Sequence, residues 1–303
     1  MKAIKYVGMA AVALTMASCS SDESGMDTAG ERVAVEFSAS VGVTQTRAID
    51  QTWSTTDAIG IFMVKQNAEF KEANISEKAT NIRYVVDVPG AGSFKANGTT
   101  IYYPMDASKV DFYAYYPQGT VTKETTSGNY EYALNVANQT DQETLDFMYS
   151  KNVKGCSKTS KAVALSFYHQ LCKVILTVQP GEGVDEVDLA ELTVKAKGQN
   201  TTATFDLTAG IVERATTSVD ISLYRQIDTN IYEAILLPDA ATSRIFEFDL
   251  NNNHDAPFTW DMNKALVGGS KYTYTVKLNR TGIEVSGTIE KWTPQDGGTV
   301  DAN

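Results

Sequence analysis

The chain has 303 residues, and its two histidines and three cysteines are the side chains best suited to nucleophilic, acid–base or metal chemistry. Their spacing assembles none of the three. His169 and His254 stand far apart, Cys156 and Cys172 form no CxxC, and there is no HxxxH. A tetrahedral N/S zinc set therefore has no local motif to build on. Neither a Gly-x-Ser-x-Gly elbow nor a phosphate-cradling glycine loop occurs. His169 alternates with Leu165, Phe167 and Leu171, which predicts a core histidine bonded to backbone. His254 falls in the turn 251–255, and Asp185-Glu186 reads as a pair of loop charges. Carboxylate catalysis needs two groups brought together across a cleft, which adjacency in the chain does not supply. No metal, no cofactor and no catalytic residue is expected, and the chain does not read as an enzyme.

The clearest chemistry belongs to Cys19, as a residue to be modified. Lys2 and Lys5 open the chain, residues 4–16 are mostly apolar, and the small Ala17 and Ser18 lead into the thiol. A bilayer-spanning helix needs about 20 apolar residues, so 1–18 reads as a signal peptide. The run Leu14-Thr15-Met16-Ala17-Ser18-Cys19 resembles a bacterial lipobox. In such signals the cysteine thiol takes a diacylglycerol, the peptide is cut just before it, and the new amino terminus is acylated. Three chains at about 0.8 kcal/mol per buried CH2 hold a protein on a membrane where one is marginal.

Composition narrows the remaining classes. Residues 1–18 carry two lysines and no acid, so their removal leaves 285 residues and moves the net charge from −11 to −13. An acidic chain without a basic run is a poor nucleic-acid binder, because phosphate contacts need clustered Lys and Arg. The length suits two domains. Once Cys19 is lipidated, Cys156 in a Gly/Ser/Lys loop and Cys172 in a strand pattern remain. Their spacing leaves open whether they pair, and a core of this size does not need the bridge.

The elements must then position the rest. Residues 19–31 show no apolar periodicity and read as a flexible tether. Val33, Val35, Phe37, Ala39, Val41 and Val43 then occupy every second position, the mark of a strand with one buried face. The polar stretch Thr44-Gln45-Thr46-Arg47-Ala48 follows it. Further strands are predicted at 58–64, 82–88, 99–103, 110–116 and 130–136, with turn residues between them. The segment 140–149 holds at most a helical turn. The run 162–178 alternates in one phase through Leu165, Phe167, His169 and Leu171, and in the other through Val174, Leu176 and Val178. The slip near Cys172-Lys173 predicts a bulge or a strand passing between sheets, and a domain boundary is placed there. Strands at 191–196, 201–207, 219–224, 231–237, 245–250, 271–278 and 283–289 complete an all-β chain. The expected domains are 32–172 and 173–292, with a polar tail at 293–303.

These residues, taken in order, resemble a known family. The set is the lipobox, the alternating first strand, Thr46-Arg47-Ala48, and Trp53 ahead of Asp57-Ala58-Ile59-Gly60-Ile61. It continues with Asp146-Phe147-Met148-Tyr149, Leu165-Ser166-Phe167-Tyr168-His169-Gln170-Leu171, Gly269-Ser270-Lys271-Tyr272-Thr273-Tyr274 and Ile289-Glu290-Lys291-Trp292. Across essentially the whole mature chain this is similar to the fimbrillin family of type V pili, in its fimbrillin-like lipoprotein branch. No single piece is specific; their order and spacing are. Asp57-Ala58 departs from the Gly-Asp that members more often show.

The resemblance implies two transthyretin-like β-sandwich domains in tandem. It also implies an outer-membrane lipoprotein on the cell surface, and a trypsin-like, Arg-specific protease cutting between Arg47 and Ala48. The cut would release the first strand, Val33, Val35, Phe37, Ala39, Val41 and Val43 included, with the lipid. On the order of 10 kcal/mol of apolar burial would go with it, leaving unpaired strand edges. A strand donated by another pilin subunit would restore both and, being head-to-tail, would extend a fibre. The tail 293–303 lacks alternating apolar residues and is a poor donor. Ile283, Val285 and Ile289 alternate better. The expected role is a minor, tip or anchor pilus component supporting adhesion or biofilm formation, with a host or bacterial surface ligand. The alternative is a standalone surface lipoprotein binding glycans or host protein, with Tyr102, Tyr103, Tyr113, Tyr115 and Tyr116 as an aromatic platform.

Overall fold

A computed structural model describes residues 32–42, 53–160, 162–214, 217–251 and 256–292. Cys19, the tether 19–31, Val43, Arg47, Ala48, His254 and the tail 293–303 lie outside the described residues. The first group of strands comprises β1 (Phe37–Val41), β2 (Ala58–Lys65), β3 (Ile82–Val88), β4 (Ser93–Ala96), β5 (Val110–Tyr116), β6 (Val121–Lys123), β7 (Tyr130–Asn135), β8 (Met148–Cys156) and β9 (Val163–His169). The second comprises β10 (Cys172–Pro180), β11 (Thr193–Asn200), β12 (Thr202–Asp206), β13 (Ile211–Arg214), β14 (Ser218–Ser222), β15 (Tyr224–Arg225), β16 (Ile231–Leu236), β17 (Ile245–Asp249), β18 (Phe258–Asp261), β19 (Ser270–Asn279) and β20 (Gly282–Lys291). One helical turn, α1 (Gln142–Leu145), is capped by Asp141, whose carboxylate accepts from Thr144 N–H. The fold is all-β, as the alternation predicts.

Seven strands close on themselves in the order β1-β4-β3-β2-β5-β8-β9, with β1 completing the circuit. Ile59, Ile61, Met63, Phe112, Leu165 and Phe167 fill the enclosed core. Downstream, the five-stranded sheet β15-β16-β10-β19-β20 and the four-stranded sheet β14-β11-β17-β18 bury Val174, Leu176, Val276, Val194, Phe246 and Phe248 in a second core. A fourth sheet, β13-β12-β7-β6, pairs strands from either side of residue 172.

The wall between the two cores is β2 and β5. On β2, Ile59, Ile61 and Met63 face one core while Phe62 and Val64 face the other. Buried on both faces, β2 reads as an unbroken apolar run with no alternation, as sheets covered on both sides do. On the second-core side of the wall an aromatic seam runs from Phe62–Tyr130 (5.0 Å) and Tyr115–Tyr132 (5.2 Å) to Tyr132–Phe147 (4.9 Å) and Phe147–Phe205 (4.7 Å).

The phase slip at 172 is a passage between sheets. β9 ends at His169 on the closed sheet and β10 starts at Cys172 in the five-stranded one. Three expectations change. Residues 99–103 form no strand; they hold one bridge, Tyr102 to Ala34, and Pro104 next in line has no N–H with which to extend a ladder. β4, β6, β8, β13 and β18 were not anticipated; in the longest of them, β8, Lys151, Asn152, Lys154 and Gly155 mask the pattern. Cys156 ends β8 fully buried and is not in a loop. Register shifts between β5 and β8 let buried positions fall three apart, at Val153 and Cys156.

Candidate functional site

β1 obeys its alternation. Val35, Phe37, Ala39 and Val41 are buried while Ala34, Glu36 and Ser40 are exposed. Val33 is half-buried against the same core. Phe37 meets Tyr84 and Phe112 edge-on, with ring centroids 4.9 and 5.2 Å away.

β1 has main-chain partners on both sides. It runs parallel to β9, from Phe37 opposite Val163 to Val41 opposite Phe167, and antiparallel to β4 at Phe37–Phe94 and Ser38–Ser93. Val163 N–H donates to Glu36 O and Gly42 N–H to Phe167 O, each at 2.8 Å. On the other side Ala39 N–H donates to Gly92 O at 2.7 Å, Val35 N–H to Ile101 O at 2.9 Å, and Tyr103 N–H to Val33 O at 3.0 Å. Arg32 lies over the Tyr102 ring, 4.1 Å from its centroid.

Gly92 makes the approach feasible: it holds φ +67°, and a Cβ there would collide with the Ala39 carbonyl. The segment Val88–Gly92 reads as a turn in sequence, but this close approach leaves no local signal. Trp53 is the second residue whose role the chain order does not announce. Its indole N–H donates to Ala39 O at 3.1 Å, in a buried position. Its ring meets Phe94, Tyr116 and Phe167 at 5.1–5.5 Å.

Without β1 the closed sheet would open between β4 and β9, with unpaired N–H and C=O groups along both. Val35, Phe37 and Val41 account for about 5–9 kcal/mol of burial at about 1.5–3 kcal/mol each. The arrangement can therefore bind an extended chain, through main-chain pairing and side-chain pockets together.

Other singled-out residues have structural surroundings. His169 is buried, but its Nδ1 pairs with Asp146 Oδ1 at 2.7 Å rather than with backbone. The reason is α1, whose C-cap residue is Asp146 and which presents that carboxylate at the end of β9. The same ring stacks on Trp292, 4.1 Å away and 2° from parallel. Cys156 and Cys172 form no disulfide and lie in separate cores, and burial pushes the Cys172 thiol up to about 12. Tyr103, Tyr115 and Tyr116 are buried and Tyr102 and Tyr113 half-buried, so most of this tyrosine cluster packs the interior instead of forming an exposed platform. Ile283 and Val285 belong to β20 and pack on the second core; β20 pairs with β19 over all ten of its residues.

Known proteins share this architecture. The Bacteroides uniformis protein named Putative fimbrium subunit Fim1C is 37% identical over 280 residues, covering 90% of this chain and 89% of its own length. The crystal structure of a putative cell adhesion protein from Bacteroides uniformis superposes with a TM-score of 0.73 at 36% identity, covering 86% of this chain and 99% of that one. A second putative cell adhesion protein, from Bacteroides ovatus, shares the fold with a TM-score of 0.65 at 20% identity, over 88% of this chain and 100% of that one. The model of the family described as fimbrillin-like matches residues 46–292, and with that span the chain belongs to the fimbrillin-like family.

Proposed function

We propose that this chain is a fimbrium subunit that reaches the outer membrane as a lipoprotein acylated at Cys19 and is primed for assembly by a cut between Arg47 and Ala48. β1 then leaves with the lipid, and a strand from another subunit takes its place. The observation that carries the reading is the position of β1 between β4 and β9. It is at once the strand that closes the sheet and the first strand among the described residues, upstream of a basic residue in a polar stretch. Membership of the fimbrillin-like family supports the same reading and, with it, a structural rather than catalytic role at the cell surface.

Two further parts belong to the proposal. The chain divides at 172/173 into domains 32–172 and 173–292, which share the sheet β13-β12-β7-β6. The subunit is a minor, tip or anchor component serving adhesion. Support for the latter is the full pairing of β20 with β19, which engages Ile283, Val285 and Ile289 in the resident sheet.

The test is limited digestion of the mature chain with an arginine-specific protease. One early cut after Arg47, followed by multimers that survive warm SDS when partner subunits are present, is the expected result. A cut chain that stays monomeric beside its partners, or an Arg47→Ala chain that assembles as well as the unaltered one, overturns the reading.

A further inference from the structure

We infer that Trp53 determines which strands can occupy the β1 position, by holding the occupant's backbone at the level of residue 39 and admitting only a small side chain there. The inference rests on the strand-exchange reading above and adds a rule for the partner.

Trp53 lies downstream of Arg47, so it stays in the body of the chain when β1 is cut away. Its indole N–H donates to the main-chain carbonyl of Ala39, a contact that any strand in this register can supply whatever its sequence. Its ring touches both Phe94 and Phe167. Phe94 stands opposite Phe37 on β4, and Phe167 stands opposite Val41 on β9. The indole therefore spans the level between them, where β1 carries Ala39, 8% exposed. Two residues back, the space around Phe37 is lined by Tyr84 and Phe112 and takes a full aromatic ring.

Interiors are packed to crystal-like density, so a larger side chain at position 39 must displace the indole, and the displaced N–H then loses its carbonyl. A buried donor left without a partner is costly. The two penalties act together, which makes the small residue a requirement and not a preference. The occupant is a strand of another subunit whose inward residues run large apolar, small, β-branched apolar at successive alternate positions. Gly92 adds the matching condition along the same edge, where the same residue's N–H must reach Gly92 O.

The experiment uses the mature chain cut after Arg47 in the presence of synthetic peptides with the sequence of residues 32–42. Uptake is read by mass spectrometry of the isolated complex and by tryptophan fluorescence. The unaltered peptide is expected to enter, and a peptide carrying Ala39→Leu to bind at least about tenfold more weakly, while Phe37→Leu has a smaller effect. In a Trp53→Phe chain the difference between the Ala39 and Ala39→Leu peptides is expected to shrink to within about threefold. Equal binding of the two peptides to the unaltered cut chain overturns the role of Trp53 and leaves strand exchange standing. Failure of the unaltered peptide to enter overturns strand exchange itself, and this inference with it.

Discussion

The indole N–H of Trp53 donates to the carbonyl of Ala39 across 3.1 Å in the interior of the closed sheet, so a residue downstream of Arg47 is bonded to the backbone of a strand upstream of it. Trp53→Phe keeps an aromatic ring but removes the donor together with part of the buried indole's volume. Leaving a buried carbonyl short of a partner costs about 1–3 kcal/mol. The uncut variant is expected to unfold in urea at a correspondingly lower midpoint with an unchanged slope.

Phe37→Ala empties the largest side chain that β1 places in the core, between Tyr84 and Phe112. The expected loss is about 3–5 kcal/mol, lost transfer energy plus the cavity. Glu36→Ala, on the exposed face of the same segment, should change stability by less than about 0.5 kcal/mol. Equal effects in chemical denaturation would show that β1 contributes no directional burial.

Gly92→Ala and Gly90→Ala form a matched pair. Both glycines have positive φ, +67° and +72°, but a Cβ at Gly90 meets nothing within 4 Å while one at Gly92 runs into the Ala39 carbonyl. Each pays the left-handed penalty of roughly 1–2 kcal/mol. Gly92→Ala is expected to lose about 1 kcal/mol more, the price of the Ala39–Gly92 hydrogen bond, measured by thermal or urea unfolding.

Trp292 closes the described chain by stacking on His169 and donating its backbone N–H to Gly269 O at 2.6 Å. That contact ties the end of β20 to the end of β9. Trp292→Ala is expected to raise the hydrogen-exchange rates of the β20 amides nearest Lys291 by about tenfold through local opening. Amides of β2, buried on both faces, should stay unchanged.

Cys156 and Cys172 should resist thiol reagents in the folded chain at neutral pH and react fully in denaturant. The thiolate is the nucleophile, and burial holds the Cys172 thiol up to about 12, so almost none is present at pH 7. Rapid native labelling of either, or a bridge between them found by mass spectrometry, would contradict the placement of the two in separate cores.

The reach of the sequence follows from which faces are covered. β1, exposed on one face, alternates strictly, so its buried residues Val35, Phe37, Ala39 and Val41 are legible by period alone. The slip at Cys172 is legible for the same reason, since the phase of burial reverses when the chain changes sheet. β2 and β5 stand between two cores, and their apolar runs say that both faces are covered without saying by what. β8 is hidden because its register shifts against β5 break the period that would have revealed it.

The sequence by itself determined an all-β chain, the inward face of β1 and the absence of local metal or nucleophile motifs. Those properties rest on composition and on neighbours one or two residues apart. Tertiary structure alone decided that β1 lies between β4 and β9, that Gly92 and Trp53 meet Ala39, that Asp146 partners His169, and that Cys156 and Cys172 never meet. Each of those is a contact between segments distant along the chain. Such contacts are set by strand order and register, and no short-range pattern encodes either.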